Sequence, residues 1–326
     1  MARTTKAIRV HQTGGPEVLR YEDIEVAEPG EGEALVRQTA VGLNFIDVYF
    51  RTGLYPVPLP AVLGQEAAGV VEAVGPGVTS LAPGDRACYA GIAGAYAGLR
   101  NVPATRLVKI PDGVTEEQAA ALMLKGMTAR YLLLATTKVG PGQTIVVHAA
   151  AGGTGQILVA WGKHLGAKVI ATTGSPEKAE LARKLGADHA VVLGKDDLQK
   201  TVETATGGAG ADVVYDSVGK DTFDLSIAAL KMRGLLVSFG QASGPVPPIS
   251  TTALAAKCLY LTRPRLHAYI ATRAELEETA GDLFAVVKSG IVRAEIGQRF
   301  PLSDAGDAHR ALESRKTIGS TILLPA

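Results

Sequence analysis

Through the first 120 or so residues apolar and polar positions alternate in short runs, KAIRVHQTGG, LRYEDIEV, EALVRQTAVGLN, AAGVVEAVGPGV, GDRACYA and LVKIPDG. Alternation at period two, broken by Gly and Pro roughly every ten residues, predicts a compact, mostly antiparallel β domain. The pattern changes near residue 115. TEEQAAALMLKGMTARYLLLATT carries apolar residues at helical spacing, and Thr115 followed by Glu117 and Gln118 is a capping-box start. VGPGQTIVVHAAAGGTGQILVAWGKHLGAKVIATTG then reads as a strand over 144–148, a glycine turn, a helix over 155–166 and a strand over 168–173. SPEKAELARKLGAD is the next helix, with Ser175 as N-cap, Pro176 at the first helical position and Gly186 as its stop. AVVL, ADVVYDSVG and GLLVSFGQ continue the series of short apolar strands between helices. Such a series predicts a parallel sheet covered on both faces.

Beyond it, ALAAKCLYLTRPRL has the apolar and aromatic character of a sheet edge, and RAELEETAGDLFAVVKSG is an amphipathic helix. The tail IGQRFPLSDAGDAHRALESRKTIGSTILLP reads as strand, helix, strand and resembles the first segment more than the middle. The nucleotide domain is therefore expected in the middle, with the chain returning to complete the first domain.

Composition narrows the function. The 326 residues suit roughly two domains. With 33 basic against 32 acidic residues, nothing points to nucleic acid or an anionic membrane as partner. The start MARTTKAIRVHQTGG lacks the apolar stretch of a signal peptide, and a cytoplasmic protein is expected. Cys88 and Cys258 are too far apart to suggest a metal site or a disulfide framework.

The chemistry starts at HAAAGGTGQ, residues 148–156. Against the pattern G-x-G-x-x-G it offers Ala150, Gly152 and Gly155, with Gly153 extra and Thr154 between. Placed after a strand and opening a helix, the turn suits a nucleotide pyrophosphate. The second strand chooses the nucleotide. An NAD site wants an acidic side chain about 20 residues on; this chain has Thr173, followed by Gly174, Ser175 and Lys178. A missing acid with a base nearby favours NADP.

The stretches GLNFIDVYFRTGLYP, LGQEAAGVVEAVG, AAGGTGQ, VVYDSVG and LTRP together resemble the zinc-free, zeta-crystallin-like quinone oxidoreductases of the medium-chain dehydrogenase/reductase superfamily, over the whole chain. The resemblance implies an α/β architecture: a GroES-like, mostly antiparallel β domain over 1–122 and 264–326, and a Rossmann doubly wound parallel-sheet domain over 123–263, with a cleft between them. It implies NADPH as hydride donor and a homodimer. Zinc-dependent relatives use a Cys near Phe45 or Ile46 and a His where this chain has Gln65, and both are missing. An electron-poor quinone or conjugated carbonyl takes a hydride with only hydrogen bonds to the oxygen that gains charge, so loss of zinc favours such substrates.

Residue by residue, the resemblance sets Asn44 beside the nicotinamide, with Tyr49 and Tyr55 available to a flat substrate or to core packing. Lys125 and Thr128 match positions on the nicotinamide side of the cofactor, and Arg263 and Arg315 match basic positions at the cleft. Phe239 and Gly240 end a strand where the nicotinamide is expected. Asp47 is expected to cap a turn rather than to orient Lys or Arg neighbours. Many relatives have a tyrosine where this chain has Leu193, which removes a hydroxyl from the 2′-phosphate region. The implied activity is hydride or one-electron transfer from NADPH to a quinone. An enoyl or alkenal reductase, and a cofactor-binding structural or RNA-binding protein with little turnover, are the competing expectations.

Overall fold

The computed structural model describes residues 3–326, which form two compact units. The first comprises residues 3–127, 270–288 and 294–326, the second 128–269 and 289–293. The expected divisions after 122 and 263 differ from these, and the first of them falls inside a helix, Glu116–Arg130, that runs across the boundary.

In the first unit a seven-stranded sheet runs Ile296–Pro301, Ser320–Leu324, Glu33–Leu43, Glu66–Val74, Arg86–Ala90 and Val108–Lys109, with Leu99–Pro103 also paired to Glu33–Leu43. All of its pairings are antiparallel except that of the two C-terminal strands. The chain's end is thus built into the sheet formed by its first segment, consistent with the tail's likeness to that segment. A smaller sheet joins Arg20–Val26, Arg3–Val10 and Ala61–Val62. Val36, Val41, Leu43, Ala67, Val71, Tyr89, Tyr96 and Leu323 pack together as the core of this unit.

The second unit holds a six-stranded, wholly parallel sheet. Its spatial order is His189–Val192, Lys168–Thr173, Thr144–Val147, Ala211–Asp216, Leu230–Ser238 and Tyr260–Thr262. In chain order these are strands three, two, one, four, five and six, the doubly wound Rossmann arrangement. The order reverses between Thr144–Val147 and its neighbours, so a ligand crevice is expected beyond the carboxyl end of that strand. The interior strands are continuous apolar runs because both faces are covered; Val146, Ile170, Val214 and Leu236 are fully buried.

Local signals account for the boundaries. The backbone N–H of Thr115 donates to Gln118 Oε1 at 2.9 Å and that of Gln118 to Thr115 Oγ1 at 3.2 Å, a reciprocal capping box. The helix it opens does not run unbroken to residue 137: Tyr131–Thr136 relaxes into a π-helical turn, where the Thr137 hydroxyl takes up the Leu132 carbonyl. The helix after the glycine turn is Gly153–His164, starting two residues earlier than the periodicity suggests because extended Gly152 is its N-cap. Ser175 caps Pro176–Lys184, accepting from the Lys178 N–H, and Gly186 beyond it has φ +104°. Among the described residues no helix is long and apolar enough to cross a membrane.

Candidate active site

The glycine turn leaves the sheet at the point where the strand order reverses. Ala149 adopts a left-handed φ of 51°, which folds the chain back so that the Gly152 N–H reaches the Ala149 carbonyl at 2.9 Å. Gly155 then sits on that carbonyl: a Cβ there would run into Ala149 O and lie 2.8 Å from Ala150 Cα. Only glycine lets the helix come this close to the strand. Gly152, Gly153 and Thr154 are half-exposed at the helix start, where first-turn N–H groups have no partner within the helix. This end therefore fits a pyrophosphate.

The neighbouring strand ends at Thr173, which is buried with its hydroxyl turned onto the Ser175 carbonyl at 3.1 Å. Gly174 faces open space. Lys178 is half-buried one turn into the next helix, and partial burial lowers its ammonium below the usual lysine range. A partly desolvated cation holds a phosphate more strongly than a fully hydrated one. The region is not free of acid: Glu177 lies beside them, its carboxylate held low by the helix-start N–H and the Ser175 hydroxyl. Leu193, in the place of the relatives' tyrosine, packs against the apolar core of this unit. These features fit the adenosine end of a phosphorylated dinucleotide.

At the carboxyl end of Leu230–Ser238, Phe239 is half-buried and donates its N–H to the Asp216 carbonyl at 2.8 Å. A Cβ on Gly240 would lie 2.5 Å from Ser217 O, so this tight passage needs glycine. Arg263 Nη1 donates to Ser238 O and Gly240 O, at 2.8 and 2.9 Å. The structure thus joins Phe239, Gly240 and Arg263 into one corner, and shows Arg263 bracing backbone. Thr128 is half-buried in the boundary-crossing helix.

In the first unit, Asn44 caps the helix Phe45–Thr52 with extended backbone. Its amide Nδ2 donates to Glu66 Oε1 at 2.8 Å, and Lys125 Nζ donates to the same oxygen at 2.8 Å. Glu66 also accepts the Leu124 N–H and is fully buried. Two residues singled out separately by sequence, Asn44 and Lys125, are therefore tied together by a carboxylate that sequence reasoning did not single out. Gly42 makes room for it, since a Cβ there would strike the Glu66 carboxylate and the Ala120 carbonyl. Tyr49 and Tyr55 meet edge to face, ring centres 5.3 Å apart, with Phe45 and Phe50 on their flanks. Arg315 is exposed just past the helix Ala305–Glu313, with φ +59°.

One further network was missed. His148 Nδ1 lies 2.8 Å from Thr172 Oγ1, and its Nε2 lies 3.0 Å from Ser226 Oγ. Ser226 donates to Asp216, which also accepts from Thr222 Oγ1 and the N–H groups of Val218 and Gly219. Burial, opposed by the nearby Asp216 carboxylate, pushes His148 below the usual histidine range. The network pins the carboxyl ends of three adjacent strands, below the crevice. Asp216 stands in the quoted VVYDSVG, but only its spatial neighbours reveal what it does. Among the described residues no group of three or more His, Cys, Asp or Glu is arranged to hold a metal.

The family described as alcohol dehydrogenase GroES-like domain matches residues 30–112, and that described as zinc-binding dehydrogenase matches 153–284. A quinone oxidoreductase of Pseudomonas aeruginosa is 50% identical over 98% of this chain and 99% of its own length. A 2-haloacrylate reductase of Burkholderia is 45% identical over 97% and 98%. Among solved structures, an Escherichia coli quinone oxidoreductase complexed with NADPH superposes with TM-score 0.96, at 46% identity, over 98% of this chain and all of that one.

Proposed function

This chain belongs to the quinone oxidoreductases of the medium-chain dehydrogenase/reductase superfamily, and from that premise we propose that it is a metal-independent, NADPH-dependent quinone reductase. It is an NADPH-dependent oxidoreductase; the quinone substrate, the independence of metal, the cytoplasmic location and the homodimer are our reading. When bound, NADPH supplies a hydride from C4 of its nicotinamide ring. In this reading Gly152, Gly153, Thr154 and Gly155 hold the pyrophosphate, while Thr173, Gly174, Ser175 and Lys178 receive the 2′-phosphate. In the first unit Asn44 and Lys125, fixed by Glu66, are assigned to the nicotinamide; in the second, Thr128, Phe239 and Gly240 are. Tyr49 and Tyr55 offer aromatic surface to a flat substrate, and Arg263 and Arg315 add positive charge.

The observation that carries the metal-free reading is the donor set around Glu66. An amide and an ammonium occupy it, Asn44 and Lys125, with Gln65 adjacent in place of a histidine. Such groups orient and donate hydrogen bonds without a Lewis acid, which suffices for an electron-poor acceptor. The likeness to a 2-haloacrylate reductase favours a second substrate class, activated alkenes, on the same scaffold.

Fluorescence titrations with NADPH and NADH test the cofactor half. Wild type is expected to prefer NADPH, and Lys178→Ala to weaken NADPH about tenfold while leaving NADH unchanged. Equal binding of both cofactors by wild type would refute the 2′-phosphate assignment. Relative rates on quinones and on 2-alkenals decide between the two substrate classes.

A further inference from the structure

Behind the Phe45–Thr52 helix lies a second buried cluster that the proposed chemistry leaves unused. Arg51, 1% exposed, makes two 2.8 Å bonds to the Glu313 carboxylate and donates from Nη1 to His309 Nδ1 at 2.9 Å. His309 Nε2 lies 3.0 Å from the Tyr96 hydroxyl, which lies 3.1 Å from Asp47 Oδ2. The Asn44 backbone N–H donates to the same Oδ2 at 2.9 Å.

The polarity of this chain is fixed at one end. A guanidinium only donates, so His309 Nδ1 accepts, and the ring proton sits on Nε2. Burial and the adjacent Arg51 push His309 down to about 3, which keeps the ring neutral. Nε2–H then donates to Tyr96, and Tyr96 donates to Asp47. Because Arg51 holds its protons, the chain cannot conduct one; it points donors at Asp47.

Charge matching singles Asp47 out. Arg51 is paired with Glu313, and Lys125 with Glu66. Asp47 is fully buried, is in no ion pair with either, and its Oδ1 has no hydrogen-bond partner. The groups that act on it are Tyr96 from the loop before Leu99–Pro103, Glu66 from the central sheet and Lys125 from Glu116–Arg130; Arg51 on its own helix and His309 from Ala305–Glu313 reach it only through Tyr96. Burial dominates, opposed by the Asn44 and Tyr96 hydrogen bonds, and raises the carboxyl to about 7.

We propose that Asp47 is a positioning residue for nicotinamide binding: by losing or gaining a proton at the end of the Arg51–His309–Tyr96 chain, its carboxyl tightens or loosens the helix turn that carries Asn44. Ionised, Oδ2 holds the Asn44 N–H and the Tyr96 O–H with charge-assisted bonds; protonated, it holds both more weakly. The proposal rests on the reading that Asn44 serves the nicotinamide.

NADPH dissociation constants, measured by cofactor fluorescence from about pH 5.5 to about pH 9, test it on wild type, Asp47→Asn and Tyr96→Phe. The phosphate of NADPH titrates alike in all three, so differences belong to the protein. Infrared difference spectra of wild type against Asp47→Asn, recorded without NADPH, follow the carboxyl itself. Wild type is expected to bind about fivefold more weakly as pH falls through about 7, beyond any change shared with Asp47→Asn. Tyr96→Phe, which lacks one donor to the carboxylate, is expected to move that limb to higher pH. Identical profiles for wild type and Asp47→Asn, an unmoved limb in Tyr96→Phe, or a carboxyl band that does not titrate in this range would overturn the proposal. NADPH binding to none of the three at any pH would instead overturn the function reading, and this proposal with it.

Discussion

The two units each bury an aspartate, a histidine and hydroxyl groups in one network, and they satisfy the aspartate differently. Asp216 receives four donors spread over both oxygens, from Val218, Gly219, Thr222 and Ser226. Asp47 receives two, both on Oδ2, and its Oδ1 is left alone. Placement explains the contrast. Asp216 ends a strand and faces a tight turn and a helix start, which present backbone N–H groups at close range. Asp47 sits three residues into a helix, where only the cap N–H and one long-range hydroxyl reach it. The same residue types thus build a saturated support at the strand ends in one unit and, in our proposal, a titratable strut behind Asn44 in the other.

The largest effect should come from breaking the saturated network. Asp216→Ala leaves the Val218 and Gly219 N–H groups without their acceptor and throws the Thr222 and Ser226 hydroxyls back on backbone carbonyls, and is expected to cost about 3–5 kcal/mol in urea unfolding. A loss below ~1 kcal/mol would show that the four bonds contribute little.

The unsaturated network should respond to pH instead. Asp47 is raised to about 7 from its ordinary 3.8, so its proton favours the fold. Its contribution is complete below about pH 4 and is lost as pH rises through about 7. His309, lowered from its ordinary 6.5 to about 3, does the reverse: its contribution is complete above about pH 6.5 and is lost as pH falls toward about 3. The two oppose each other between about pH 4 and 6.5. Asp47→Asn removes one side of that opposition, so its stability relative to wild type should rise with pH by on the order of 4 kcal/mol, read as a growing difference in Tm. A pH-independent difference would mean that Asp47 does not titrate in the folded protein.

What was legible in the sequence follows the same division. The capping box at Thr115, the Ser175 cap and the glycine turn are local patterns, and the chain obeys them because neighbouring residues alone satisfy the helix ends. The six-stranded parallel sheet follows from short apolar runs between helices. Glu66 was not legible as the tie between Asn44 and Lys125, because its partners lie 22 and 59 residues away and no periodicity links them. Arg51 and His309 are separated by 258 residues. Gly42 carried no turn signal, since it lies within a strand and is needed only for the space that Glu66 and Ala120 occupy. The π-helical turn after Arg130 was likewise hidden, because the apolar spacing of Tyr131, Leu132 and Leu133 suits either winding.

The central claim, metal-free reduction of a quinone by NADPH, is tested most directly by following NADPH absorbance on mixing chelator-treated, metal-analysed protein with NADPH and a para-quinone. Turnover unchanged by chelation and unaffected by added zinc is the expected result. Turnover that disappears with the metal and returns with zinc would contradict the claim and make the amide and ammonium around Glu66 bystanders to a metal site.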